Sequence, residues 1–364
     1  MNKPFMKDRH AGRRARSFST VRHIARDCHR RPPALGKVLA LVHNRRSENR
    51  PPGRTGAGVR GRGYEGSERM NRRIFAHNRL DAAMVAVSVL EIAVTTYGTL
   101  CWGSVPLYAS LFLGGFAIVL NCMNYQCIAH SFIHHPFFAV PWLNRAFSVV
   151  SSLALQAPQT LYRVHHLDHH RYNNDRPDPE TGLTGDGSST YRYSRREGRE
   201  ENLLSYALIG PLRVDYKYLW ARSRKHGDAV LTCVEATALC AYFVLLAIFN
   251  WRGLLWFFVP VWYLGQAFAL AHNYAEHHGA QPDNRLCDSV SCYGRLYNLF
   301  WFNEGYHQEH HYRPQVHWTR LPELRGLMLP ETRRRVVPFA HWVNFVGVGG
   351  CCTVETKVTQ KRIV

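Results

Sequence analysis

Four stretches of the chain, residues 82–102, 107–128, 229–249 and 254–271, are apolar over about the length that a bilayer core demands of a helix, which is roughly 20 residues. Each predicts a transmembrane helix. The first carries Glu91 and the third Glu235, and a carboxylate in hydrocarbon must be neutralised, paired or turned into the protein. Two weaker segments, 139–158 and 336–350, are interrupted by Arg145 or rich in glycine. They are expected to lie packed or at the interface. Helices buried in a large soluble protein would give similar runs, but four of them with basic or aromatic flanks favour the membrane.

Charge changes this picture little once it is located. The formal net charge is +20, which by itself suggests nucleic acid. Residues 1–69 hold 18 Lys/Arg against 5 Asp/Glu, so most of the excess sits in one basic arm. The remainder has no basic platform interleaved with aromatics, and nucleic acid is not an expected partner. The arm lacks the apolar run and cleavage site of a secretory signal. A basic arm near anionic lipid, a transit-like presequence and translated upstream sequence compete for it. The phrase "MNRRIFAHNRLDAAMVAVSVL" favours the last, with a start at Met70. Three regions are expected: a basic extension, disordered or non-native, over 1–69; a membrane domain over 70–335; and an interfacial tail over 336–364. The ten cysteines form no CxxC pair, which points to reduced, buried thiols.

Candidate chemistry enters with the histidines. Fourteen of the 21 fall in four clusters: His130, His134 and His135; His165, His166, His169 and His170; His272, His277 and His278; His307, His310, His311 and His317. The first follows two predicted crossings, the second precedes the third, and the others come at or after the end of the fourth. All four therefore lie on one membrane face. Arg72, Arg73 and Arg79 before the first span, and the basic run from Arg192 to Lys225 before the third, make that face cytosolic.

On a helix, residues four apart share a face, about 6 Å apart along the axis. His130 and His134 in "HSFIHH" can thus reach one metal. "HHLDHH" places His166, His169 and His170 at i, i+3 and i+4, and "HQEHH" repeats that spacing with His307, His310 and His311. One such box is weak, because a solvated or satisfied histidine explains it equally well. Three on one face are another matter. Imidazole suits iron, zinc, copper and nickel, and eight box histidines exceed what one ion can coordinate, so two metals are implied. "HNYAEHHG" can add His277 and Asn273 to the same centre, with His272 lying deeper. Asp168, Glu276, Glu304 and Glu309 stand where they can orient ligand N–H groups. Asp175 and Asp178 can do the same or shape a turn. Structural zinc closes with four ligands, commonly cysteines, so an all-imidazole polynuclear site at a bilayer surface fits oxygen chemistry on a lipid better.

In this order, "HSFIHH", "HHLDHHRYNNDRPDPETG", "AEHHG" and "FNEGYHQEHHYRP" resemble the histidine boxes of the membrane fatty acid desaturase family, with phrasing similar to its sphingolipid desaturase branch, over roughly residues 75–330. The expected fold is an all-α integral membrane protein of about four transmembrane helices, with a cytosolic helical cap carrying a histidine-rich dimetal site. The resemblance implies two iron ions held by His130, His134, His166, His169, His170, His277, His307, His310 and His311, with Asn273 on a metal-bound water. It further implies dioxygen as co-substrate, a fatty acyl or other lipid chain as substrate, and desaturation as the reaction. Hydroxylation or ketolation would use the same ligands. No HPGG segment of a fused cytochrome b5 and no ferredoxin-like cysteine set is present, so two electrons must come from a separate carrier of ferredoxin or cytochrome b5 type.

The doubled His134–His135, His165–His166 and His277–His278 leave the register open by one residue. The loop between Asp175 and Lys225 and the aromatics Trp256, Phe257, Phe258, Trp262 and Tyr263 are candidates for an acyl channel. A histidine-rich membrane metal transporter is the competing class, but it should carry polar ligands inside its spans near the midplane.

Overall fold

Long apolar runs become long helices. In the computed structural model, which describes residues 74–342 apart from Glu197, helix α1 covers Asp81–Leu100. Helix α2, Leu107–Met123, runs through a π turn at Asn124–Ala129 into α3, His130–His134. Next come α4, Pro141–Leu155, and α5, Gln159–Tyr172, then the short α6, Leu203–Ile209, and α7, Tyr216–Lys225. Helix α8, Ala229–Gly253, leads through a second π turn, Leu254–Phe258, into α9, Val259–His277. Helices α10, Arg295–Phe300, and α11, His307–Tyr312, complete the set. A parallel pairing of β1, Ser291–Cys292, with β2, Val336–Val337, is the one sheet among the described residues. The expected extension over 1–69 and the tail beyond residue 342 lie outside them.

Three helical stretches, 81–100, 107–134 and 229–277, are long and apolar enough to cross a membrane by length and composition. The third has 49 residues and would measure about 73 Å if straight, against a hydrocarbon core of about 30 Å. It is not straight. Asn250 leaves helical geometry at φ −155°, ψ 82°. The rings of Phe243 and Phe258 then meet at 5.3 Å, although fifteen residues of continuous helix would separate them by about 22 Å. The chain turns back at Asn250, so that Phe258 reaches Tyr242 and Phe243, and beyond the turn α9 packs on α2 and α6. Asn250 also serves α1: its Nδ2 lies 3.1 Å from the carbonyls of Thr99, Leu100 and Trp102, groups that a helix end leaves without internal partners. A Cβ at Gly253 would collide with the Thr99 carbonyl, so glycine permits this close approach.

Both carboxylates in the apolar runs turn inward. Glu91 is fully buried and accepts from Asn121 Nδ2 at 2.8 Å and Asn124 Nδ2 at 2.6 Å. Glu235, also fully buried, accepts from Ser148 Oγ at 2.5 Å, Thr160 N at 2.9 Å and Thr160 Oγ1 at 2.6 Å. These bonds tie α1 to α2, and α8 to α4 and α5. The segment predicted over 139–158 is indeed packed: α4 lies against α1 and α8 and buries Phe147, Ser148, Ser151 and Ala154. Of the segment 336–350, the described part pairs with β1 and buries Val337, Ala340 and His341.

Glu91→Leu should be among the most destabilising changes in the helical layer, because it strands two buried amide donors at about 1–3 kcal/mol each. Thermal unfolding in detergent should show a clear loss, and Glu91→Gln, which keeps an acceptor, a smaller one.

Candidate metal centre

The histidine boxes converge at one end of the helices. Two groups form: His130, His134, His166, His170 and His310 in one, and His169, His277, His307 and His311 in the other, with the ligand atoms of each group within 4.8 Å of one another. The geometry follows from helical phase. On α5, His166 and His170 are four apart and share a face, whereas His169 is turned about 100° from His170. The first two enter the five-membered group and His169 enters the four-membered one. On α11 the roles are exchanged, with His307 and His311 in the four-membered group and His310 in the five-membered one. Each HxxHH box therefore divides its rings two to one, in opposite senses. The groups adjoin, with the rings of His170 and His311 centred 4.5 Å apart.

The doubled histidines resolve cleanly. His134 turns into the cluster, whereas His135 Nε2 bonds the Gln315 carbonyl at 2.8 Å. His166 enters and His165 lies beside Gly187. His277 enters and His278 pairs with Glu200. The π turn before box one places the Gln126 carbonyl 2.8 Å from His130 Nδ1. Gly305, just ahead of box three, has no room for a Cβ beneath the Cys292 carbonyl, which lets α11 sit close to β1.

Several rings are oriented from behind. His307 Nδ1 lies 2.9 Å from Glu304 Oε1, and His169 Nδ1 lies 2.8 Å from Asp186 Oδ2. Burial pushes both carboxyls up, but the facing imidazoles and their hydrogen bonds outweigh it and hold Glu304 and Asp186 well below the usual carboxylate range. Burial, reinforced by neighbouring rings, holds His166, His170, His310 and His311 well below the usual histidine range. His307 is lowered to about 4 by burial against the pull of Glu304.

These rings fit a pair of metal ions. A neutral ring that donates through Nδ1 keeps a lone pair on Nε2. Nε2 atoms face one another at 2.6 Å for His130 and His310, 2.9 Å for His134 and His166, 3.0 Å for His170 and His310, and 3.2 Å for His277 and His307. Nε2 of His169 and of His311 is buried with no hydrogen-bond partner. A cation in each group would satisfy these atoms, and imidazole is a preferred donor to first-row metals.

Of Asp168, Glu276, Glu304 and Glu309, the carboxylates next to the boxes in sequence, Glu304 is the one within 3.0 Å of a box histidine. Glu276 lies between His272, His307 and His341 at 3.1, 3.5 and 3.7 Å. Asp168 holds Tyr218 and Arg222, and Glu309 holds Ser291 and Tyr293. Asp178 caps its own turn, and Asp175 accepts from the backbone of Gly185 and Asp186. Asp186 itself escapes sequence reasoning, since it stands in the loop "TGDGSST" with no spacing that ties it to box two. Asn273 lies one turn before His277 and donates to Tyr206 Oη at 2.7 Å.

A cavity of about 440 Å³ reaches the histidines, lined by His130, His166, His169, Leu161, Tyr206 and Asn273 among others. That lies within the range of about 300–1,000 Å³ usual for ligand sites. Some residues of the expected loop, from Thr184 to Leu219, line it, but Trp256, Phe257, Phe258, Trp262 and Tyr263 do not. Phe257 packs on Ala117 and Val261, and Trp256 is 62% exposed on the outer helix face.

Residues 101–342 match the family model described as fatty acid desaturase. The chain is 26% identical to a sphingolipid delta(4)-desaturase of Schizosaccharomyces pombe (strain 972 / ATCC 24843) over 273 residues, covering 68% of this chain and 71% of the relative. It is 28% identical to a sphingolipid delta(4)-desaturase/C4-monooxygenase of Bos taurus over 264 residues, covering 67% and 74%. The matched span encloses all nine clustered histidines, the residues behind them and the cavity that reaches them, and the chain belongs to the fatty acid desaturase family.

Proposed function

We propose that this protein is a membrane-bound di-iron oxidoreductase that desaturates a lipid chain, with a sphingolipid as the substrate class. The observation that carries the reading is the division of nine imidazoles, seven of them buried and His134 and His170 partly so, into adjoining groups of five and four, with one cavity reaching both. His130, His134, His166, His170 and His310 would hold one iron, and His169, His277, His307 and His311 the other, with Asn273 close enough along α9 to steady a water. Bound there, the irons supply activation of dioxygen, with two electrons from a separate ferredoxin- or cytochrome b5-type carrier, and abstraction of hydrogen from an unactivated methylene.

The chain's own residues supply the setting. Glu304 and Asp186 stay anionic, fix the direction of His307 and His169, and offset part of the cationic charge. The cavity walls of Leu161, Leu219 and Leu270 take an apolar chain, while Arg192, Arg213 and Asp215 give the same cavity polar groups for a headgroup. Hydroxylation is the second reading, favoured by the relatives named as C4-monooxygenases. The histidine arrangement serves either outcome, because the two reactions part only after the first hydrogen is removed.

The chain is proposed to cross the membrane four times, with the fold-back at Asn250 between the third and fourth crossings and the histidines at the cytosolic end. The reading is supported by the two apolar limbs of residues 229–277 and by the basic residues that accompany the histidine-bearing end.

Purified protein should contain two irons per chain. His310→Ala and His311→Ala should each lower that content and abolish product formation while leaving membrane insertion intact; full turnover at normal iron loading would remove the ligand assignment. Asp186→Asn, which keeps the loop but weakens the hold on His169, should cost about 10–100-fold in metal affinity, read by competition with a chelator. Mass analysis of a sphingolipid substrate separates the reactions: loss of two mass units marks desaturation, and gain of sixteen marks hydroxylation.

A further inference from the structure

A second cluster of polar side chains is buried behind His307 and belongs to neither group of imidazoles. Tyr297 on α10 is buried, and its Oη lies 2.8 Å from His341 Nδ1 and 3.0 Å from His272 Nε2. His341 Nε2 lies 2.9 Å from the Val290 carbonyl. That nitrogen carries the hydrogen, since a carbonyl only accepts. Burial lowers His341 to about 3, so the ring is neutral and its Nδ1 is a bare acceptor. The phenol O–H of Tyr297 therefore donates to His341.

Consecutive rings join this cluster to the histidine centre. His341 is centred 6.2 Å from His307, Tyr297 5.5 Å from His341, and Trp301 5.9 Å from Tyr297. Trp301 is partly exposed, so the series runs from a box histidine toward the surface. Tyr297, His341 and Trp301 are not among the residues that line the cavity. Two tyrosines that do line it are bonded differently. Tyr162 is centred 5.9 Å from His166, but its Oη donates to the Tyr125 carbonyl at 2.9 Å, and Tyr206 donates to the Ser188 carbonyl at 2.6 Å. A phenol that loses an electron becomes a strong acid and sheds its proton. An amide carbonyl is too weak a base to take that proton, whereas a neutral imidazole takes it readily.

We propose that Tyr297 is a redox-active tyrosine that discharges the oxidised metal centre when no lipid chain occupies the cavity, with His341 as its proton acceptor. The inference rests on the di-iron reading and extends it to residues that hold no metal. Tyr297 gives one electron to the centre, whose oxidant is dioxygen. Its O–H bond breaks, and the proton passes to Nδ1 of His341, leaving a neutral phenoxyl radical and an imidazolium. An external one-electron donor then reduces the radical from the Trp301 side, and His341 returns the proton. With a lipid seated, abstraction of hydrogen from the methylene consumes the oxidising power, and Tyr297 stays reduced.

The test uses the full iron-loaded chain in detergent, reduced without oxygen, mixed with oxygen in the absence of lipid, and frozen within the first turnover for electron paramagnetic resonance. The wild type should show a phenoxyl radical, recognised by ring-proton splitting that collapses when the protein carries ring-deuterated tyrosine. A saturated sphingolipid that the enzyme converts should lower the signal several-fold. Tyr297→Phe should lose the radical while keeping its iron, and Tyr162→Phe should keep both. Repeated cycling with oxygen but no lipid should inactivate Tyr297→Phe several-fold faster than the wild type. A phenoxyl signal of wild-type size in Tyr297→Phe, or oxygen consumed by the wild-type iron with no phenoxyl formed, overturns the proposal. Should Tyr297→Phe unfold, a fluorotyrosine placed at position 297 decides, because the radical acquires fluorine splitting only if it resides there. A chain that holds no iron removes the di-iron reading and this one with it.

Discussion

Nine imidazoles pressed together at one end of the helices turn ring nitrogens toward one another, and much of the surrounding architecture serves to hold them there. A proton on one nitrogen relieves one contact and leaves the next, because His310 Nε2 and His134 Nε2 each face two other rings. Charging the rings is opposed by burial. Cations would answer the conflict, and the hydrogen bonds that Glu304, Asp186 and the Gln126 carbonyl accept keep the rings aimed at the spaces where they would sit.

Holding the rings in register falls to polar contacts within apolar helices. Glu91 and Glu235 are costly groups in hydrocarbon, yet each accepts hydrogen bonds that lock one helix to the next. The same trade operates at Asn250, whose side chain closes the end of α1 while its backbone reverses the chain. Such residues look like defects on a hydropathy profile. In the folded protein they are the joints that fix helix rotation, which apolar packing alone specifies weakly.

The long apolar runs and the box spacings were legible because each depends on one helix and one period. The four predicted runs become helices, and the box histidines come together as the spacing requires. What could not be read needed distance in the chain to become distance in space. Asp186 sits in a glycine- and serine-rich loop seventeen residues beyond His169, with no periodicity to mark it. The choice within each histidine pair depended on where a helix ended: α3 stops at His134, which sends His135 the other way. The aromatic stretch at 256–263 misled because an outward helix face and a cavity wall have the same composition. Glu309 and Asp168 misled because nearness in sequence to a ligand says nothing about the direction of the side chain.

The opposite division of the two HxxHH boxes has a mechanical consequence. Helices α5 and α11 each send rings into both groups, so neither can slide or rotate to suit one group without disturbing the other. The two halves of the centre behave as a pair of meshed gears with a common pitch. An error in the seating of either helix is shared between both groups, and a geometry that orders one largely prepares the other. The two groups are thereby coupled through rigid backbone, with no ring common to both.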